Sequence, residues 1–269
     1  MQIAPDFTAG IRLAFRARYF SFAVWLTVGL VVTVLTAAQF SGRQPATVGL
    51  DVGLSVIRLS LPVLGVLLLQ ELLSREFDRK LFLTSLTYPR PRHLFLLGRV
   101  LATMVLVLAL LAALGLVLAG LTEWIARGYE QATPPALGAP YLTTLAFIAL
   151  DVLVILSIGT LIAVTAVTPS FVLVGTIGFM LVARSFSAIV ELLTRNSTLV
   201  SDALTYQSSL SLLGYLVPDL ATLDVRMISL YGQWTFLPSD WGMRTLAALA
   251  YALGVIGLAA WILSRKRFN

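Results

Sequence analysis

The sequence is poor in the residues on which most enzymes depend. It has no cysteine, a single histidine (His93), and only 12% of its 269 residues are charged. Without cysteine there are no disulfides, thiolate metal sites or cysteine nucleophiles. One histidine is also too few for the clusters that metal hydrolases use.

The sequence also lacks the short motifs that bind nucleotides or build hydrolytic sites. It contains no G-x-x-x-x-G-K-[ST] phosphate loop, no H-E-x-x-H and no G-x-S-x-G. The first motif would hold nucleotide phosphates, the second a zinc ion, and the third a nucleophilic serine. We therefore predict that this chain is not an enzyme and has no cofactor, metal site or catalytic residue of its own.

Apolar residues are abundant instead. They make up 58% of the chain, and the mean hydropathy is +0.92, whereas a soluble domain is nearer half apolar and a quarter charged. Six stretches with little or no charge are each long enough to cross a hydrocarbon core of about 30 Å. Backbone polar groups in lipid must be paired within the segment, which predicts helices. We expect an all-α integral membrane fold, a single domain over 1–269, with spans at 20–39, 49–71, 97–121, 141–166, 170–191 and 243–263.

The basic residues indicate the orientation of these spans. With the N-terminus inside, twelve of the 19 Lys and Arg residues fall in cytoplasmic parts and five on the opposite side. Because cytoplasmic loops carry the excess of Lys and Arg, we place both termini in the cytoplasm of a bacterial inner-membrane protein. This placement explains the net charge of +6 without any nucleic-acid partner.

The first residues predict a helix of a different kind. Within 5–19, Arg12 and Arg16 share one helical face, while Ile11 and Phe15 share a neighbouring one. This pattern indicates a basic amphipathic helix in contact with membrane lipids at the surface. An ordinary charged flank of the first span is the alternative.

Two long loops separate the spans. Residues 72–96 are cytoplasmic in this topology and highly charged. Residues 192–242 are external but rich in Leu, Tyr and Trp, and a structureless loop of that length would be unusual. We expect short external or re-entrant helices there, with Pro218 and Pro238 as breaks.

The cytoplasmic loop begins with a charged helical end, continues through a Leu-rich patch and ends in a Pro break with a basic pair. In this layout it resembles the coupling loop of the six-span type of ABC-2 transporter permeases. The matching residues are Glu76, Leu83, Leu86, Pro89, Arg92 and Gly98, while Arg99 stands where Lys is usual and Lys80 stands near a common Gly-Thr position. A second similarity is Pro218-Asp219-Leu220 with Asp224 before the last span, where Asp219 replaces an Asn.

The resemblance implies the permease subunit of an ABC exporter. In that family two membrane subunits pair with two copies of a cytosolic ATPase, which binds ATP and Mg²⁺. The partners would therefore be the ATPase and a second copy of this or a similar permease, as in a homodimer. The loop after the second span would be the coupling helix, with the contact residues Arg75, Glu76, Arg79, Lys80, Leu83, Leu86, Pro89, Arg90 and Arg92. The alternative is that these charges only follow the positive-inside rule.

A charge inside a span costs roughly 2.5–3.5 kcal/mol and usually has a partner. At about 1.5 Å per residue, Arg58, Asp151 and Arg184 lie at similar depths. We expect either a structural pair of Asp151 with one of these arginines, or a polar patch along an export path or dimer seam. The candidates are Asp51 and Arg58 in the second span, Asp151 in the fourth, and Arg184 with Glu191 in the fifth, of which Arg58, Asp151, Arg184 and Glu191 form the predicted patch.

Two other functions fit the same sequence. A secondary transporter would need no ATPase and would couple through Asp151 or Glu191. A membrane anchor or sensor subunit would transport nothing. The substrate is not encoded in any motif that we can identify.

Overall fold

The computed structural model describes residues 4–16, 18–74, 92–128, 134–166, 168–195 and 218–265, without the side chains of 4, 16, 74, 92 and 187–195. These residues are mainly α-helical, and none of them forms a strand. The helices are α1 (Ala4–Arg16), α2 (Tyr19–Phe40), α3 (Pro45–Leu69), α4 (Arg92–Arg127), α5 (Ala139–Thr165), α6 (Pro169–Arg195), α7 (Met227–Tyr231) and α8 (Trp241–Arg265).

Six of the described helices, α2 to α6 and α8, are long and apolar enough to cross a membrane. Their number and order agree with the six predicted spans, and the described fold is that of an all-α, multi-pass membrane protein. Neighbouring spans such as α3 and α4 run antiparallel, with Gly49 near Ile125 and Gly53 near Leu118. The end of the bundle that carries α1 is called the α1 end here, and the opposite end is called the far end.

Several helices extend beyond the predicted spans. Helix α3 continues through a π turn, Gln70–Ser74, and α4 begins at Arg92, so 72–74 and 92–96 are helical rather than loop. Residues 192–195 and 241–242 likewise belong to α6 and α8. Apolar runs locate the lipid-facing part of a helix, whereas backbone hydrogen bonds continue beyond it.

The amphipathic helix is shorter than predicted and ends at Arg16, because Arg18 adopts a left-handed conformation (φ 61°) and Tyr19 begins α2. Helix α1 packs against the first turns of α4. A Cβ added to Gly98 would lie 2.7 Å from Asp6 Cβ, so only glycine permits this approach. Arg12 and Phe15 remain exposed.

Helix α3 has two irregularities. Pro62 interrupts its series of backbone hydrogen bonds, and the π turn begins eight residues later. Between them, Gly65 lies against α5, where an added Cβ would come within 2.8 Å of Leu156 Cδ2. The helix is therefore divided into a part on the far side of Pro62 and a part that leads to the α1 end.

The residues before α8 form a segment that enters the far end of the bundle. This inserted segment, 218–232, contains a 3₁₀ turn, Leu220–Leu223, followed by α7. Leu220, Leu223 and Ile228 are buried in an apolar cluster with α5, α6 and α8. The segment is held at its α7 end by a hydrogen bond from Ala136 N to Ser229 O (2.8 Å).

Candidate functional site

Three arginines and three aspartates form a continuous chain of contacts in the far half of the bundle. We call this chain the charge ladder. Positive and negative groups alternate along it, so the formal charge of the whole is zero. Its members, from the interior outward, are Arg184 of α6, Asp151 of α5, Arg58 of α3, Asp224 and Arg226 of the inserted segment, and Asp51 of α3.

Asp151 is the centre of the buried part of the ladder. Its side chain has no exposed surface, and its Oδ2 atom accepts from two arginines. Arg184 Nη2 lies 2.5 Å from that oxygen, and Arg58 Nε lies 3.3 Å from it. A carboxylate in apolar surroundings is tolerated only when such partners compensate for its lost hydration.

The outer part of the ladder joins α3 to the inserted segment. Arg58 pairs through Nη1 with Asp224. Arg226 then bridges Asp224 and Asp51, with Nε 3.3 Å from Asp224 Oδ1 and Nη1 3.0 Å from Asp51 Oδ1. From Asp151 through Arg58 to Asp51, side-chain exposure rises from 0% to 45%, so this part of the ladder runs from the dry interior to the far surface.

The ladder also supplies a hydrogen bond to the backbone of the inserted segment. Arg58 Nη2 donates to the carbonyl of Leu220 (2.8 Å), while within the segment Asp219 Oδ1 accepts from Ala221 N (3.1 Å). Irregular backbone is tolerated at membrane depth only where protein groups pair with it. The inserted segment meets this requirement partly through the charges of neighbouring spans.

The ladder leaves little free space. The cavity beside Arg58, Asp224 and Arg226 has a volume of about 10 Å³, which corresponds to roughly one water molecule. Asp151 Oδ1 and Arg184 Nε are buried without a hydrogen-bond partner among the described residues. Within the described part of the chain, the cavity beside the ladder is too small to serve as an open path.

The structure brings together three of the four residues of the predicted patch, Arg58, Asp151 and Arg184. Asp151 contacts both arginines rather than one, so the predicted pair is a triad. Glu191 lies on α6, but its side chain is outside the described part of the chain.

Most of the predicted coupling loop also lies outside the described residues. Arg92 is the first residue of α4, and its side chain is not described. The predicted contact residues with no described structure are Arg75, Glu76, Arg79, Lys80, Leu83, Leu86, Pro89 and Arg90.

Sequence reasoning missed the role of Asp224 and Arg226. Both were assigned to an external loop, where charges need no partner, and Asp51 was not included in the predicted patch. One signal was available: an aspartate and an arginine two residues apart stand in a largely apolar stretch, Leu216 to Leu230. The partner of Arg226 on α3 is 175 residues away in sequence, so the pairing itself is not visible without the fold.

No protein-family model and no curated protein sequence matches the chain.

Proposed function

We propose that this chain is the membrane-spanning permease subunit of an ABC-2 type transporter in the bacterial inner membrane. It works as an exporter with two copies of a cytosolic ATPase and a second copy of itself or of a similar permease. ATP and Mg²⁺ bind to the ATPase, since this chain has no phosphate loop.

The observation that carries the proposal is the arrangement around the charged loop. Helix α3 ends in a π turn at Ser74, immediately before the loop, and α4 begins at Arg92, immediately after it. Helix α1 packs on the first turns of α4, so an amphipathic helix and both ends of the loop meet at the α1 end. This supports a docking surface for a cytosolic partner on that side, and positive-inside charges support its cytoplasmic location.

The charge ladder fits this function as an element that holds the far side closed. Its arginines are matched by carboxylates, and Asp151 has no access to solvent. A secondary carrier coupled through Asp151 would need that carboxylate to reach water, but its side chain has no exposed surface in this arrangement. The geometry therefore does not favour coupling through Asp151.

Co-purification with an ATPase tests the proposal. The chain is expressed with a candidate ATPase subunit and purified in mild detergent. We expect the ATPase to be recovered, and we expect a charge reversal at Arg75, Arg79 and Lys80 to abolish the recovery without lowering the yield of folded chain.

Reversal of Arg127 and Arg244 is the matched control, since both lie at the far end on the surface of the described bundle. It should leave the ATPase bound. Recovery of no ATPase with the wild-type chain, together with ion- or proton-driven transport in vesicles without ATP, would contradict the proposal in favour of a secondary carrier.

A further inference from the structure

Pro62 leaves a backbone carbonyl of α3 without its helical donor. In a regular helix the amide at position 62 would donate to the carbonyl of Arg58, four residues earlier, but proline has no amide hydrogen. Arg184 Nη2, from α6, lies 2.9 Å from that carbonyl oxygen and donates to it. A side chain of a neighbouring span thus occupies the place of the missing amide.

Arg184 is held in this position by the ladder. The same Nη2 atom donates to Asp151 Oδ2 at 2.5 Å, and a guanidinium has donors enough for both acceptors. The position of the Arg58 carbonyl is therefore fixed by α5 and α6 and not only by its own helix.

The two parts of α3 differ in what holds them. On the far side of Pro62, Asp51, Ser55 and Arg58 all contact ladder residues. On the other side, residues 63–69 are apolar or glycine, and Gly65 makes a close contact with Leu156. Apolar contacts without fixed donors and acceptors allow small sliding movements more readily than ion pairs of defined geometry.

We propose that Arg184 is a positioning residue that replaces the amide missing at Pro62, and that Pro62 makes α3 a jointed helix. The far part is fixed in the charge ladder, and the part that follows Pro62 moves relative to it. The functional half of this proposal rests on the proposed ATPase-dependent function. The link between Arg184 and Pro62 does not depend on it.

A double-mutant cycle tests the link. Pro62→Ala restores an amide that can donate to the Arg58 carbonyl, so the loss caused by Arg184→Gln should be smaller in that background. We expect Arg184→Gln to lower the folding equilibrium constant about five-fold more in the wild-type chain than in the Pro62→Ala variant, since an unpaired buried carbonyl is costly. The measurement is reversible unfolding of the detergent-solubilised chain. Arg184→Lys, which keeps the charge beside Asp151, takes the place of Arg184→Gln if the latter does not fold.

Pro45→Ala is the matched control for the proline. Pro45 stands in the first turn of the same helix, where its missing amide leaves no helical carbonyl unpaired. The effect of Arg184→Gln should be the same in the wild-type chain and in the Pro45→Ala variant. Equal losses in the wild-type and Pro62→Ala backgrounds would overturn the assigned role of Arg184.

A second measurement tests the joint. In vesicles that contain the ATPase complex, Pro62→Ala should keep the ATPase bound but lose ATP-driven transport, because a continuous helix resists bending. Wild-type transport by Pro62→Ala would overturn the joint. If no ATPase binds the wild-type chain, both the proposed function and the joint in α3 are wrong. The double-mutant cycle by unfolding still tests the role of Arg184 in that case.

Discussion

The far half and the α1 half of the bundle hold their helices together in different ways. In the far half, α3, α5, α6 and the inserted segment are joined by the charge ladder, centred on the fully buried Asp151. In the α1 half, α3 meets α5 through Gly65, and Tyr19 Oη donates to the carbonyl of Leu106 (2.6 Å). Ion pairs in a dry interior define one geometry strongly, whereas close apolar contact depends on shape. We therefore expect α3 to be held more rigidly in the far half than along 63–69, where its own residues are apolar or glycine.

Of the variants considered, Asp151→Asn is expected to cause the largest loss of stability, in the far half of the bundle. It leaves two guanidinium groups buried without their shared carboxylate, and breaking a buried ion pair costs about 3–5 kcal/mol. The measurement is the yield of folded protein by size-exclusion chromatography and the free energy of unfolding. Asp51→Asn is the matched control, because Asp51 is 45% exposed. Normal folding of Asp151→Asn with loss of transport would instead assign the triad to the transport path.

Gly65→Ala tests the α1 half. The added methyl group would lie 2.8 Å from Leu156 Cδ2, so Leu156 or the helix must move. Overpacking of this kind costs about 1–3 kcal/mol. We expect a lower thermal unfolding temperature, and no such loss for Gly29→Ala, whose added Cβ meets no atom within 4 Å. Equal unfolding temperatures for the two variants would mean that close packing of α3 on α5 does not hold this half.

Arg226→Gln tests the outer end of the ladder. It removes the bridge between Asp224 and Asp51, but these side chains are partly exposed, with Arg226 at 36%. Exposed pairs contribute about 0–1 kcal/mol and are weakened by salt. We expect a small loss of unfolding free energy that shrinks at high ionic strength. A loss as large as that of Asp151→Asn would show that the ladder is not graded from interior to surface.

The smallest effect is expected at the start of α8. A hydrogen bond from Arg244 Nε (2.8 Å) holds the pKa of the exposed Asp240 carboxyl below its usual value. A lowered native pKa contributes stability above the unfolded pKa of about 4, and this contribution is lost as the pH falls through the native pKa. Arg244→Gln should raise the pKa of Asp240, measured by NMR titration of its carboxyl, while unfolding near neutral pH changes little. An unchanged pKa of Asp240 in the Arg244→Gln variant would contradict the hydrogen bond between these two side chains.

The ladder shows how far sequence reasoning reaches. Arg58, Asp151 and Arg184 were identified because a charge in an apolar run needs a partner, and equal depth along antiparallel helices brings the three together. Asp224 and Arg226 were not identified, because a loop outside the spans gives no reason to expect burial. The inserted segment changes that environment, and its position depends on the packing of its leucines and isoleucine among three spans.

The sequence alone determined the membrane class, the number of spans and their order, because transfer of apolar runs from water to lipid depends on composition and length. It also placed a proline in α3. The tertiary structure alone decided that Arg184 donates a hydrogen bond to the Arg58 carbonyl, which Pro62 leaves without its helical donor. It also decided that six charged residues from three spans and the inserted segment form one continuous charge ladder. These contacts join residues up to 175 positions apart, and hydrogen bonds of defined distance arise only when packing sets the helices side by side.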